Sequence, residues 1–485
     1  MRLDDLFRTV FGVSVVVMAF GILLESPALL ALLTVIAGLS FALSDYFSPR
    51  PDSVNVISCY AAFSALWFGL GNFFGYVLDP DKFPQFHGYD VPEFNFEAQV
   101  IATMGAIVPL IAYDTVRAHF ERKGTTILSR IGFDVSDRDL VRFCVALLGI
   151  SIVAQLAGLS FGFLGTLGSV IDMGPVLVIF IIFSRWRSDR PTTMPRWTMW
   201  LAVGVGLYQV GLGLLYSNMR NVLIWPVAAF FLPIILNKRL TLTRAVAGVA
   251  LVFAFAISFQ GIGEIRGRMF GNERLAYLVA RSEAEVGAAA DEDDDDFGLI
   301  GLTARLSTFN QLTQVVRLVR EDGYYDGETI GYAVYVFIPR VIWPEKPIIA
   351  PGQWFARRLG RGVGYEGGTF SNAINMTIPG ELFLNFGWFA TALGLATLGL
   401  IYYLLWQAVT FHRSESNPVA LIFTYVLFSQ AMFNGSHLGA FINLILWYIS
   451  LTALTWALGL VFSKLRVSTS LQDTALADKV QPTAT

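Results

Sequence analysis

Long apolar runs, separated by short polar segments, make up most of the chain. About twelve of these runs are long enough for a helix that crosses a bilayer, which takes roughly 20 apolar residues. The runs are continuous and do not alternate between apolar and polar positions, so they favour helices over the strands of a membrane barrel. The predicted spans cover residues 7–24, 28–45, 54–78, 97–113, 141–158, 168–185, 197–215, 221–236, 243–260, 380–407, 418–435 and 440–463.

The positions of Lys and Arg predict how these spans are oriented. Cytoplasmic loops carry an excess of both residues, and every second polar segment of this chain is rich in them. We therefore expect the basic segments to face the cytoplasm of a bacterial inner membrane, with both termini inside. The basic segments contain Arg50, Arg117, Arg122, Lys123, Arg130, Arg185, Arg187, Arg190, Arg196, Lys238, Arg239, Arg244, Arg413, Lys464 and Arg466.

One polar segment is much longer than the others and divides the chain. Residues 261–379 fall on the predicted outer side, and a loop of this length can be translocated regardless of its charge. Its apolar positions predict an amphipathic helix over 302–319, on the membrane or against the spans, and a second interfacial segment over 331–342. The prediction is an N-terminal bundle (1–260), a large periplasmic loop with amphipathic helices (261–379), C-terminal membrane helices (380–463) and a disordered cytoplasmic tail (464–485).

Composition supports the membrane class and narrows the chemistry. The chain is 55% hydrophobic with a mean hydropathy of +0.58, and 15% of its residues are charged, against about 25% in soluble proteins. Both cysteines lie in apolar runs, and the four histidines show no metal-ligand spacing, so we expect no disulfide framework and no metal site. No GxxxxGK[ST] motif is present, which argues against a nucleotide-driven pump. No cofactor is predicted.

Arginines on the predicted outer side are candidates for binding an anion. Arg220 ends a short outer loop, Arg266 and Arg268 follow the span 243–260, and Arg305 lies further along the long loop. Guanidinium groups make bidentate contacts with phosphate oxygens, so this group suits the diphosphate of a lipid-linked substrate. The alternatives are a snorkelling anchor for Arg220 alone and lipid-headgroup binding without catalysis for the group.

A proline-framed segment supplies two more cations. The sequence Ile-Pro-Arg-Val-Ile-Trp-Pro-Glu-Lys-Pro covers residues 338–347 and contains Arg340, Trp343 and Lys346. Its three prolines restrict the backbone to an extended or turning path. Trp343 suits a membrane interface or a sugar-stacking surface. We interpret this rigid frame as one that positions Arg340 and Lys346 for function.

Glu381 is the candidate for acid–base chemistry. It stands where the chain re-enters the membrane, in Pro-Gly-Glu-Leu-Phe-Leu-Asn-Phe-Gly. Asn385 lies one turn further on the same predicted helix face and is predicted to contact the substrate. An ionisable residue at or within a span is costly and is therefore a functional candidate, here as a general base. The alternative is a carboxylate favoured by the helix dipole at an N-terminus.

Three stretches together resemble a known family. Asp-Gly-Glu-Thr-Ile-Gly-Tyr at 326–332, the proline-framed segment at 338–347 and Gly-Glu-Leu-Phe-Leu-Asn-Phe-Gly at 380–387 resemble the bacterial oligosaccharide repeat-unit polymerases, the Wzy-type O-antigen and exopolysaccharide polymerases. The resemblance implies a GT-C-like, metal-independent glycosyltransferase that acts on undecaprenyl-diphosphate-linked glycans at the outer face of the inner membrane. A flippase and a chain-length regulator are the implied partners.

The resemblance also implies roles for the candidate residues. Arg220, Arg266, Arg305 and Arg340 would hold the donor diphosphate as it leaves, and Glu381 would take the proton of the attacking sugar hydroxyl. Three other classes are open: an O-antigen ligase-like enzyme, a glycan transporter or flippase, and a structural membrane subunit. A transporter predicts polar residues at mid-span and paired broken helices.

Overall fold

Helices form all the regular secondary structure in the part of the chain that the structure describes, and no strand occurs there. The all-helical class is therefore confirmed for these residues. The structure is a computed structural model. It describes residues 2–50, 52–78, 92–123, 126–128, 131–157, 166–188, 190–216, 221–238, 241, 308–331, 338, 342–343, 345, 351–359, 374–409, 415–432, 438–439 and 441–457.

Most of the helices coincide with predicted spans to within a few residues. In chain order they are α1 (Leu3–Leu23), α2 (Pro27–Phe47), α3 (Val56–Ser64), a π-helical turn (Ala65–Leu70), α4 (Gly71–Leu78), a 3₁₀ turn (Pro92–Phe94), α5 (Asn95–Lys123), α6 (Asp137–Leu156), α7 (Thr166–Asp172), α8 (Gly174–Arg187), α9 (Trp197–Tyr216), α10 (Asn221–Leu236), α11 (Phe309–Asp322), α12 (Pro351–Arg358), α13 (Ile378–Val409), α14 (Pro418–Met432) and α15 (Phe441–Ala457).

Several helices are suited to a membrane. Within the described residues, five helices are long and apolar enough to cross one, namely α1, α2, Val56–Val77, α5 and α13. Shorter apolar helices are Trp225–Leu236, Pro418–Met432 and Phe441–Ala457. These features support a helical membrane protein. The number of twelve spans remains a prediction, and the predicted span 243–260 lies outside the described residues.

Close glycine contacts bring the first helices together. Ser26 caps α2 by accepting the N–H of Leu29, and Pro27 opens that helix. A Cβ added to Gly38 of α2 would lie 2.7 Å from the Ala61 carbonyl oxygen, and one added to Gly69 would lie 2.7 Å from Val35 Cγ2. The chain from α3 to α4 can therefore pack directly on the backbone of α2, as small residues allow in membrane bundles.

The π-helical turn exposes a carbonyl that polar side chains occupy. Both Asn72 and Gln99 donate to the carbonyl oxygen of Phe68, at 3.2 and 3.1 Å. Gln99 also accepts from Asn72 and donates to Thr103, which shares a hydrogen bond with Thr34. This buried network links α2, the turn and α5 in a region where an unpaired polar group would be expensive.

α13 differs from the single span predicted over 380–407, because it consists of two helical pieces that reverse at Gly387. That glycine has φ 74° and ψ −167°, which is not helical. The chain folds back so far that a Cβ added to Gly394 would lie 2.8 Å from the side chain of Leu382, although a continuous helix would separate these residues by about 18 Å. Residues 378–386 are thus a short half-helix beside the longer piece 388–409.

The half-helix of α13 begins inside the bundle. A Cβ added to Gly105 of α5 would lie 2.7 Å from Pro379 Cγ, and Gly105 is about 15 Å along its helix from Asn95. The longer piece packs on the same helix, with Tyr403 against Tyr113 at 5.6 Å between ring centroids. α5 therefore supports both pieces of α13.

α11 inserts between these elements. Its buried face contains Leu312 and Val315, which contact Gly380, and Arg320 near its end pairs with Glu97 at the start of α5. The residue before the helix, Thr308, donates to the Trp67 carbonyl in the π-helical turn. The sequence predicts an amphipathic helix here either on the membrane or against the spans, and the structure shows it against the spans. The helix covers 309–322, and residues 302–307 lie outside the described residues.

The basic segments predicted to face the cytoplasm meet at one end of the bundle. The carboxylate of Asp45 is buried between Arg8 and Arg117, at 3.6 and 3.5 Å. Arg185 binds Asp137 at 2.7 Å, and both side chains are nearly buried. The structure thus brings these segments to the same end, while the side of the membrane that this end faces remains a prediction.

Candidate functional site

Glu381 lies in the first turns of the half-helix and is fully buried. Thr377 precedes the helix with φ 64°, and its hydroxyl accepts the Gly380 N–H at 3.2 Å. This cap fixes where the helix starts and hence where the carboxyl group lies. The carboxyl oxygen Oε2 accepts the backbone N–H of Leu438 at 2.6 Å.

The second carboxyl oxygen of Glu381 has no hydrogen-bond donor among the described residues. A buried polar atom is normally satisfied, and leaving one unpaired costs about 1–3 kcal/mol. The group is therefore unlike the exposed carboxylate of an ordinary helix N-terminus. Its free oxygen can accept a hydrogen bond or a proton from a bound molecule.

Asn385 holds a neighbouring turn of chain against this helix. Its Oδ1 atom accepts the N–H groups of Gly327 and Thr329, at 3.0 and 3.4 Å. Its Nδ2 atom donates to the Thr329 hydroxyl and to the carbonyl of Glu381, both at 2.7 Å. The side chain thus uses all four of its hydrogen-bonding positions on protein atoms. These contacts give Asn385 a positioning role, and a direct contact with substrate remains a prediction.

The direction of these bonds also defines the role of Thr329. Because two backbone N–H groups point at Oδ1 of Asn385, its amide nitrogen must face Thr329, whose hydroxyl oxygen therefore accepts. The Thr329 hydroxyl can therefore donate its own proton to the Glu381 carboxyl group beside it. Thr329 lies within the 326–332 stretch, but the sequence gives no reason to select it. A buried threonine cannot be recognised from spacing alone.

The turn that carries Thr329 is strongly bent and tied to the half-helix. Asp326 and Gly327 have φ 45° and 91°, in the left-handed region, and the N–H of Tyr325 donates to the carbonyl of Leu384 at 3.1 Å. The structure thereby brings together two of the stretches that carry the family resemblance, 326–332 and 380–387.

An aromatic and charged cluster extends from the other side of this turn. Trp354 of α12 donates its indole N–H to Glu328 Oε1 at 3.0 Å. Arg358 lies over the rings of Tyr325 and Trp354, with its guanidinium carbon 5.3 and 5.5 Å from the two centroids. Sequence reasoning did not identify this cluster. The four-residue spacing of Trp354 and Arg358, which places both on one helix face, was the available signal.

All six predicted site cations lie outside the described residues. They are Arg220, Arg266, Arg268, Arg305, Arg340 and Lys346, and their predicted roles are untested. Trp343 is described and its side chain is partly exposed, and its predicted role at an interface or in stacking stays a prediction. Among the residues that the structure places, no group of three His, Cys, Asp or Glu side chains is arranged to hold a metal ion.

Comparison with known proteins places the site in a family. A family model described as "Domain of unknown function (DUF8712)" matches residues 204–463, which include Glu381, Asn385, Thr329 and the aromatic cluster. No curated protein matches the chain, and no solved structure does. Since the match covers more than half of the sequence, the chain belongs to the DUF8712 family.

Proposed function

We propose that this protein polymerises undecaprenyl-diphosphate-linked oligosaccharide repeat units at the outer face of a bacterial inner membrane. The observation that carries the proposal is Glu381, a buried carboxyl group with one oxygen free of hydrogen bonds among the described residues. It lies in an all-helical protein with several apolar helices suited to a membrane. The resemblance of 326–332, 338–347 and 380–387 to repeat-unit polymerases supplies the reaction class.

The proposed reaction is a single displacement at the anomeric carbon of the donor glycan. The acceptor hydroxyl oxygen bonds to that carbon while the bond to the diphosphate oxygen breaks, which inverts the configuration. The hydroxyl proton passes to Oε1 of Glu381. Undecaprenyl diphosphate leaves, and Arg220, Arg266, Arg305 and Arg340 balance its charge. No metal or cofactor is part of this scheme.

The proposal includes the finer features of the predicted architecture. They are about twelve spans in a GT-C-like arrangement, a large outer loop, and both termini in the cytoplasm. Arg268, Trp343 and Lys346 would contact the lipid-linked substrate in the outer loop. A flippase would deliver the substrate and a chain-length regulator would limit the product.

Replacement of Glu381 by Gln tests the proposal directly. The amide keeps the shape of the side chain but cannot accept a proton, so the rate of glycan extension from purified lipid-linked repeat units should fall by about 10²–10⁴-fold. Glu415→Gln is the matched control, because Glu415 is an equally buried glutamate at the opposite end of the bundle. Normal ladders of glycan from the Glu381 variant, at equal membrane level, would show that Glu381 is not the base.

The same assay separates the polymerase from a ligase-like enzyme. With lipid-linked repeat units as the sole substrate, a polymerase produces ladders of increasing length. A ligase, which transfers the glycan to a different acceptor, produces none under these conditions.

A second candidate function is a transporter for lipid-linked glycans. The specific observation in its favour is a pair of short helices, α11 and 378–386. Both begin inside the bundle, and they pack together beside a buried carboxyl group. Broken helices surround the binding sites of many transporters. Proteoliposomes distinguish the two: movement of the glycan lipid between leaflets without any extension would favour the transporter.

A further inference from the structure

Glu328, Arg358 and Trp354 form an incompletely paired group on the described surface next to Glu381. The guanidinium nitrogen of Arg358 is 4.0 Å from Glu328 Oε2, which is too long for a hydrogen bond. Within the described residues Arg358 donates no hydrogen bond, and its described contacts beyond this ion pair are the faces of two aromatic rings. About half of each charged side chain is exposed.

This arrangement offers a donor and an acceptor at a fixed separation. Arginine can only donate hydrogen bonds, and a carboxylate can only accept them. A hydroxyl group placed between them does both at once, accepting from Arg358 and donating to Glu328. Because Trp354 already binds Oε1 of Glu328 at 3.0 Å, the carboxylate is held in one orientation with Oε2 left for such a group.

The local charge favours a neutral ligand over an anionic one. Two carboxylates, Asp322 and Glu328, and the guanidinium of Arg358 lie around Tyr325. Tyr325 donates its hydroxyl to Asp322 at 2.5 Å. Desolvation, together with this bond to Asp322, raises the pKa of Tyr325 to about 12, so the phenol stays neutral and keeps donating. A phosphate would meet two carboxylates here, whereas a sugar ring meets hydroxyl partners and aromatic surface.

Few hydrogen bonds separate the group of Glu328, Arg358 and Trp354 from Glu381. Glu328 stands between Gly327 and Thr329, whose N–H groups are both held by Asn385. Asn385 in turn donates to the carbonyl of Glu381. A molecule bound at Glu328 therefore lies on the same turn that packs against the candidate base.

From this geometry we propose that Glu328, Arg358 and Trp354 form a subsite for a neutral sugar residue of the glycan substrate. The proposal rests on the proposed function for its substrate, and it adds a binding position that is separate from the diphosphate contacts. A sugar hydroxyl bridges Arg358 and Glu328, and the ring lies near the indole of Trp354. The group then acts in binding and not in the chemical step.

Kinetics with the full-length protein in nanodiscs test the subsite. Arg358→Lys keeps the charge but loses the planar fork, and Glu328→Gln keeps the shape but loses the charge. Each should raise the KM for lipid-linked repeat units by about 5–10-fold and leave kcat within about twofold, as expected when only substrate binding is lost. The matched controls are Arg317→Lys and Glu321→Gln, an ion pair of similar length (3.9 Å) on α11.

A binding measurement keeps this test separate from the proposed activity. Hydrogen exchange is followed after adding the lipid-free oligosaccharide released from the same repeat units. Protection of residues 322–331 and 351–359 is expected in the unmodified protein and should be lost in Arg358→Lys. If the protein makes no polymer yet shows this protection, the proposed activity fails and the subsite stands. The subsite is overturned if neither segment is protected, or if the α11 controls raise KM as much as the variants do.

Discussion

The buried pair Arg185 and Asp137 shows how single residues join distant helices at one end of the bundle. Arg185 closes α8, Asp137 opens α6, and Thr193 adds hydrogen bonds to the same carboxylate. Burial alone would raise the pKa of Asp137, but the hydrogen bonds from Arg185 and Thr193 outweigh it and lower the pKa below its usual range. The charged carboxylate is therefore the form that stabilises the fold.

Replacement of Asp137 by Asn should destabilise the protein by about 3–5 kcal/mol, because it leaves Arg185 buried without a counterion. Thermal unfolding in detergent at pH 7 measures this. A carboxylate with a lowered folded pKa contributes stability above its unfolded pKa of about 3.9, and this stability is lost as the pH falls through the folded pKa. The difference in unfolding temperature between the unmodified protein and the Asp137→Asn variant should therefore disappear in strong acid.

Asp139→Asn is the control for this experiment. Asp139 lies two residues away on the same helix, and its side chain is exposed beside Arg142. Its replacement should leave the unfolding temperature unchanged. Equal losses in the two variants would contradict the role given to the buried pair.

At the same scale, the sequence identified Glu381 and Asn385 as candidates but not the contact between Asn385 and Thr329. A carboxylate at the edge of an apolar run stands out because its burial is costly. Thr329 and Asn385 are ordinary polar residues, and their importance comes from a contact across more than 50 positions of sequence. Such contacts depend on how helices pack, which a single sequence does not specify.

The reversal at Gly387 is the main feature at the scale of elements. Apolar runs predicted where helices occur, since hydrophobicity depends on local composition. They could not predict the reversal, because apolar residues continue on both sides of the glycine and it interrupts no pattern. The backbone angles of Gly387 fall in a region that only glycine occupies readily, and a Cβ there would lie 2.9 Å from the ring of Tyr324.

Gly387→Ala should therefore lower the free energy of unfolding by about 1–3 kcal/mol through backbone strain alone, with further loss from the contact with Tyr324. Thermal unfolding and glycan extension measured on one preparation would show both effects, since the half-helix carries Glu381. Gly149→Ala is the control, because Gly149 lies within α6 and has open space around it. A Gly387 variant as stable and active as this control would contradict the reversal.

At the scale of the whole molecule, the orientation of the bundle in the membrane can be tested, because exposed side chains mark its two ends. Asp139 lies at the end where the basic segments meet, and Asp322 closes α11 near the start of α5, at the other end. Both side chains are exposed, so a cysteine at either position can react with a labelling reagent. The sequence predicts which end faces the cytoplasm, because Lys and Arg are enriched in cytoplasmic loops.

Cysteine labelling in spheroplasts checks the prediction. In a background with Cys59→Ala and Cys144→Ala, Asp322→Cys should react with a membrane-impermeant maleimide added outside. Asp139→Cys should react only after the membrane is permeabilised. The opposite result would reverse the topology and place the Glu381 site on the cytoplasmic side.

The contact between α5 and α13 has a consequence for how the chain can be divided. The residues that match the family begin at 204, a position within α9. The carbonyl of Pro109 in α5, which precedes the matched residues, lies against Gly399 of α13. Further bonds join Ile131 to Ala408 and Val135 to Ser416. A fragment covering 204–463 would therefore lack the surface on which its longest helix packs. Two separately translated halves should regain the fold by complementation only when they are produced in the same cell.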